Sequence, residues 1–384
     1  MLKIGAGAHA PAFRVMDVIA AANARQAALP LSAPHIIRME VGQPSTGAPA
    51  GAVAAGIAAL QSGRALGYTE TFGLPTLRER IARHYSDWYG LDIPARRIAV
   101  TTGGSGAFPL AFLGAFDRGD RVALAAPYYP PYVNILTALG IVPVILEAGP
   151  ETRFQPTVAM LEQLDPRPDG LIVASPCNPA GTMLHPEELA AIALWCDQHG
   201  VRLISDEIYH GLHYDSALAT AAAVSPSAIV VNSFSKYFSM TGWRVGWLVL
   251  PEDLARPVEC LAQNTAICPP HLSQLVAEAA FACTPDLQEN VARCRRARDH
   301  LMTALPEAGF TNLSPAEGAF YIYADIQGRS DDSVAFCDRM LRECGVAASP
   351  GVDFDPRGGH YVRFSYCGPE ADMRTAAERL RKWT

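Results

Sequence analysis

No two of the nine cysteines stand in a C-x-x-C spacing; they are scattered singly between Cys177 and Cys367. Neither a zinc cluster nor a dithiol redox centre is therefore written into the chain. An odd number of isolated thiols also speaks against a secreted disulfide framework, and they read as small hydrophobes of a reducing, cytoplasmic compartment. Positive charge is in deficit, with 31 Lys and Arg against 38 Asp and Glu and a net charge of −7. That is the wrong balance for a nucleic-acid or anionic-membrane partner. Residues 122–146 are uncharged over a length that would span a bilayer, but Pro127, Pro130, Pro131, Pro143, Gly140 and Asn134 interrupt them. So many breakers exclude a continuous membrane helix. His9, Arg14 and Asp17 likewise break the N-terminus too early for a signal peptide. Low-complexity linkers and internal repeats are absent, as are the G-x-G-x-x-G fingerprint and the Walker loop with its lysine.

What is present is a globular composition, 49% hydrophobic and 18% charged over 384 residues. At roughly 150 residues per domain this makes two to three domains. Such a chain buries about three quarters of the surface its extended form exposes, and needs no disulfide or metal to fold. Short β-branched runs at 97–100, 121–125, 142–146, 171–174, 202–205, 228–232 and 245–250 alternate with helical patterns such as 75–89, 131–139 and 186–198. Several of these helices open on proline, whose missing N–H costs nothing in a first turn. The alternation predicts an α/β fold with an open, mostly parallel sheet covered on both faces. From about residue 270 the pattern changes to helices at 272–281 and 287–305, then short strands at 318–324 and 360–365. That is the signature of a smaller α+β domain. The expected division is an N-terminal segment 1–44 joining the small domain, a large domain 45–269 and a small domain 270–384.

In such sheets ligands bind at the carboxyl ends of strands. After the first run comes Thr101-Thr102-Gly103-Gly104-Ser105-Gly106, small residues that leave backbone N–H groups and a helix dipole free to face an anion, or that simply make a tight turn. After 171–174 comes Ser175-Pro176-Cys177-Asn178-Pro179-Ala180-Gly181-Thr182, where two X-Pro bonds are candidates for a cis peptide. After 202–205 comes Asp206-Glu207-Ile208-Tyr209, in which Asp206 reads either as a helix N-cap or as a ligand at a strand end. After 228–232 comes Ser233-Phe234-Ser235-Lys236, then Arg244. Lys236 and Arg244 are the only charges between Asn232 and Leu250, and they combine an amine nucleophile with a phosphate-binding guanidinium. His210 and His213 stand three apart without a partner cluster, so no metal site is expected.

Together these elements resemble the class I/II, fold-type-I pyridoxal phosphate-dependent aminotransferases. The resemblance runs through Gly42-Gln43-Pro44, Gly67-Tyr68, Gly73-Leu74-Pro75, Asn178-Pro179-Ala180-Gly181, Asp206-Glu207-x-Tyr209, Ser233-x-Ser235-Lys236 and Tyr361-Val362-Arg363-Phe364-Ser365, in order. Asn178 precedes Asp206 by 28 positions and Asp206 precedes Lys236 by 30, as that family's pattern leads one to expect.

The resemblance implies a large domain with a mostly parallel seven-stranded sheet between helices, plus a smaller α+β domain. Its cofactor is pyridoxal 5′-phosphate. By the same resemblance Lys236 is the Schiff-base lysine and general acid/base, and Asp206 pairs with the pyridine nitrogen. Asn178 and Tyr209 bond the 3′-oxygen, and Tyr129 stacks on the ring. Gly104, Ser105, Gly106, Ser233 and Arg244 hold the phosphate, Ser235 is a further cofactor-binding residue, and Tyr68 reaches the phosphate from the neighbouring subunit of a homodimer. Arg363, Gly42 and Asn178 form the substrate side. The implied reaction moves an amino group from an L-amino acid to a 2-oxo acid by a ping-pong aldimine/ketimine route. A carbon–sulfur β-lyase on the same scaffold is the alternative, and an inactive sensor module a remote one, because only about forty residues precede Gly42. The donor stays open. Arg14, Arg38 and Arg64 are candidates for reading a second carboxylate, while Phe13, Met16, Tyr128 and Tyr132 are candidates for lining a pocket for neutral or aromatic side chains.

Overall fold

The computed structural model describes residues 2–30 and 32–383. Its strands run, in chain order, β1 Ile37–Arg38, β2 Ile98–Thr101, β3 Arg121–Ala126, β4 Val142–Glu147, β5 Gly170–Ala174, β6 Arg202–Asp206, β7 Ile229–Ser233, β8 Gly246–Val249, β9 Tyr321–Asp325, β10 Val346–Ala347, β11 Ser349–Pro350 and β12 Tyr361–Ser365. β2 to β8 form one seven-stranded sheet in the order β2-β8-β7-β6-β5-β3-β4, in which β8 alone runs antiparallel to its neighbours. Side chains alternate between two cores, as a doubly covered sheet requires. Leu171, Val173, Leu203 and Val230 point into one, while Ile172, Ile204, Ile229 and Val231 point into the other.

The helices between strands carry their own punctuation. Pro75–Tyr89 begins on proline and ends at Gly90, whose φ of 66° suits a left-handed C-cap. The uncharged stretch 122–146 folds as β3, the helix Pro131–Leu139 and β4, and among the described residues no helix is long and apolar enough to cross a membrane.

The second layer is a small antiparallel sheet, β11-β12-β9, in which Arg363 is paired with Tyr323 on one side and Ser349 on the other. The helix Thr284–Glu307 buries Leu287, Val291, Cys294, Ala297, Leu301 and Leu305, a stripe spaced by threes and fours. β1 pairs in parallel with β10, Ile37 opposite Val346, tying residues near the start of the chain to others more than 300 positions later.

On the helix Pro75–Tyr89, His84 is buried against Trp88 and Phe281, with ring centroids 4.3 and 5.4 Å away. Burial, reinforced by Arg80, lowers its pKa to about 3. A folded-state pKa below the unfolded value means the neutral ring's contribution is complete above about pH 6.5 and fades as pH falls toward 3. His84→Gln is expected to remove roughly 2 kcal/mol of the stability change between pH 7 and pH 5. Paired denaturant melts at the two pH values measure it, and an unchanged difference would refute it.

Candidate active site

The carboxyl ends of the parallel strands open onto a cavity of about 270 Å³, lined from both layers of the molecule. The size and the mixture of aromatic walls with a few polar groups suit a small ligand. On the floor, β6 ends at Asp206, which is 5% exposed. No helix follows it, so the N-cap reading falls away. Its Oδ1 accepts the Ile208 N–H at 3.0 Å, and its Oδ2 accepts the hydroxyl of Tyr132. Burial pushes this carboxyl up to about 6, against the opposing pull of the Tyr132 hydroxyl, the Ile208 N–H and the Lys236 charge.

Lys236 follows β7 in a turn, where Nζ donates to the Gly42 carbonyl at 2.6 Å. Burial lowers the amine to about 8. Arg363 and Arg244 push the same way, whereas Cys367 and Asp206 oppose it. An amine held near neutrality is one that can both give and take a proton at working pH.

At one end of the cavity the helix Gly103–Ala115 starts with no side chain capping its first turn, so backbone donors there are free. Gly103 has φ +71°, and a Cβ on it would run into the Arg244 guanidinium. The absent side chain is what lets that cation lie against the helix start. Arg244 donates to the Thr241 carbonyl at 2.8 Å. Ser233 and Ser235 share a hydroxyl bond of 2.9 Å beside it. Uncapped N–H groups, hydroxyls and a guanidinium make a site whose chemistry suits a phosphate dianion.

At the other end Arg363 is 2% exposed, sandwiched between the rings of Tyr321 and Phe354 at 4.5 and 4.7 Å. It donates to Asn178 Oδ1 at 2.8 Å, to the Glu40 carbonyl at 2.6 Å and to Ser349 Oγ at 3.0 Å. None of these is a carboxylate. Among the described residues Lys236, Arg244 and Arg363 all lack an ion-pair partner, whereas most other arginines have one. Three cations converge on one cavity whose only lining carboxylate is Asp206, and that excess of positive charge calls for an anionic ligand.

Of the residues singled out in the sequence, Gly42, Gly104, Ser105, Tyr129, Asn178, Asp206, Tyr209, Ser233, Ser235, Lys236, Arg244 and Arg363 line this cavity. Gly106 does not; it lies within the helix, behind Ser105. Tyr68 does not either, being 82% exposed on an outer face beside Cys268 and His271. Gly42 owes its missing side chain to a neighbour rather than to open space, since a Cβ there would strike the Tyr321 hydroxyl. Both X-Pro bonds around Asn178, Ser175–Pro176 and Asn178–Pro179, are cis.

Several pocket candidates resolve differently from expectation. Tyr128 lies outside the cavity, whereas Tyr132 lines it as expected but commits its hydroxyl to Asp206. Arg38 bonds Glu40 and Asn23, and neither Arg14 nor Arg64 lines the site. Phe13 and Met16 line the cavity as expected, and with Val15 and Ile19 they form an apolar wall, Phe13 standing edge-on to Tyr129 at 5.9 Å. Sequence reasoning missed Tyr321, whose hydroxyl meets that of Tyr209 at 2.8 Å. It also left unused a plain signal for Lys236, which is one of only three lysines in the chain, the others lying at positions 3 and 382.

Comparison with known proteins was consistent along the whole chain. The family model described as aminotransferase class I and II matches residues 34–380. A valine–pyruvate aminotransferase of Mycobacterium tuberculosis is 48% identical over 99% of this chain and 98% of that protein. The crystal structure of an aminotransferase from Mycobacterium tuberculosis, also 48% identical, superposes with a TM-score of 0.97 over 100% of this chain and 99% of the other. That of the aspartate aminotransferase from Thermus thermophilus with maleate, 30% identical, gives 0.91 over 100% of both.

Proposed function

The chain belongs to the class I and II aminotransferase family, and from that premise we propose that it is a pyridoxal phosphate-dependent aminotransferase taking its amino group from L-amino acids with uncharged, apolar side chains and giving it to a 2-oxo acid. The observation that carries this reading is the meeting of Lys236, Asp206, Arg244 and Arg363 around one cavity whose remaining wall, Phe13, Val15, Met16 and Ile19, is apolar. A dicarboxylate donor needs a further cation, and among the described residues this chain adds none to the lining beyond Lys236, Arg244 and Arg363. The valine–pyruvate activity named for the 48% identical relative points the same way.

The residues fit the cofactor. Asp206 is suited to hold a proton on a ring nitrogen, because a buried carboxylate raises the proton affinity of a base beside it. Arg244, Ser105, Ser233, Ser235 and the start of the helix Gly103–Ala115 are suited to the phosphate, Tyr129 to a ring face, and Asn178 and Tyr209 to a phenolic oxygen. When bound, pyridoxal phosphate supplies an aldehyde that condenses with primary amines and a pyridinium that accepts the electrons of a deprotonated α-carbon. Lys236 Nζ would hold the cofactor in the resting enzyme and then move the proton at the substrate α-carbon. Arg363 grips the α-carboxylate and fixes which bond at that carbon faces the amine. Tyr68, exposed and outside the lining of its own cavity, serves the neighbouring subunit's site in a homodimer. Nine unpaired cysteines support a reducing, cytoplasmic setting.

The deciding experiment is a panel of amino donors offered to the loaded enzyme without acceptor, scored by loss of the aldehyde-form absorbance. Valine and leucine are expected to convert it and aspartate to fail. Preference for aspartate would overturn the donor class, and release of ammonia without acceptor would indicate a lyase.

Tyr132→Phe tests the role of Asp206 separately. Losing a hydrogen bond to a charged group costs about 1.5–3 kcal/mol, so the carboxyl pKa should rise and the acid limb of cofactor uptake should move up by roughly one to two pH units. Titration of uptake between pH 5 and 9 reads this out, and an unmoved limb contradicts it.

A further inference from the structure

The helix Arg14–Ala28 supplies the apolar wall, yet it has no cap of its own, because its N-cap position is Phe13. The missing acceptor comes from the other end of the chain. Asp353 Oδ1 accepts the Arg14 N–H at 3.0 Å and Oδ2 the Val15 N–H at 3.1 Å. One carboxylate thus clamps both free donors of the turn that carries Phe13, Val15 and Met16 into the cavity. Four residues earlier on the same segment, Ser349 Oγ bonds the Arg363 guanidinium at 3.0 Å. The group suited to the substrate carboxylate and the wall suited to its side chain are therefore fastened to one short stretch, 349–353.

We propose that Asp353 is a positioning residue for donor specificity: by fixing the first turn of Arg14–Ala28 relative to Arg363, it sets how large an apolar side chain fits between the carboxylate anchor and the Phe13–Met16 wall. This rests on the donor class proposed above. Asp353 does not line the cavity itself. It acts through the wall, so its loss affects donors in proportion to how far their side chains reach.

The test uses the cofactor-loaded enzyme with alanine, valine and aspartate as donors and pyruvate or 2-oxoglutarate as acceptor. In Asp353→Ala, KM for valine is expected to rise about 5- to 10-fold, kcat to stay within about 2-fold, and KM for alanine, whose side chain is a single methyl, to stay within about 2-fold. Asp353→Asn keeps one acceptor oxygen for two N–H groups, and should lower the valine-to-alanine kcat/KM ratio by only about 2- to 3-fold. That variant decides the matter if the alanine variant does not fold. An unchanged ratio in either folded variant overturns the proposal, as does a parallel rise of both KM values, which would indicate a general effect on Arg363. Should the wild type prefer aspartate to valine, the donor reading fails; should it prefer valine while the variants keep the wild-type ratio, only the role of Asp353 fails.

Discussion

In Lys236→Ala protein, amino transfer to any 2-oxo acid is expected to fall by on the order of 10⁴-fold while pyridoxal phosphate still binds. The two effects separate because they depend on different groups. Asp206, Arg244, Ser233 and the open start of Gly103–Ala115 remain in place around the cavity, so non-covalent uptake should persist. What disappears is the only amine that lines the site, one that burial has already brought down to about 8. Borohydride reduction of the loaded wild-type protein should add the cofactor's mass to the peptide carrying Lys236 and to no other, and the alanine variant should gain no mass. Transfer at a tenth of the wild-type rate or better in the variant would remove Lys236 from the reaction.

Arg363→Lys is expected to lower kcat/KM by roughly 10²- to 10³-fold for every donor, acting mainly through KM. The guanidinium fills a slot between two rings and donates in three directions at once. An ammonium cannot reproduce the planar fork that grips a carboxylate with two parallel bonds, nor stack against Tyr321 and Phe354 in the same way. Steady-state kinetics with valine and with its amide analogue make the test specific, because the amide lacks the carboxylate and should lose little. A variant that discriminates the two as the wild type does would place the carboxylate site elsewhere.

Much of the large sheet is legible in the sequence because its central strands are buried and bounded by breakers. The runs read at 97–100, 202–205 and 228–232 became Ile98–Thr101, Arg202–Asp206 and Ile229–Ser233. Pro75 and Pro131 mark their helices to the residue. Other helices give no such signal. Ala50–Gln61 is so rich in alanine and glycine that no polar face contrasts with an apolar one. The site follows the same division. Groups that end a strand, such as Asp206, are found by reading along the chain. The meeting of Tyr209 with Tyr321, 112 positions away, and of Asp353 with Arg14 and Val15, more than 330 away, depends on tertiary packing that no local pattern encodes. Tyr132 was visible as an aromatic, but its bond to Asp206 was not.

The parallel pairing of Ile37–Arg38 with Val346–Ala347 bears on how this enzyme can be re-engineered. Residues 13–19 look like a detachable cassette for choosing a substrate, yet the ladder and the Asp353 clamp make them half of a unit whose other half is 346–353. A chimaera that imports only the leading piece from a relative would set a foreign wall on native supports. Transplanting selectivity means exchanging both stretches together.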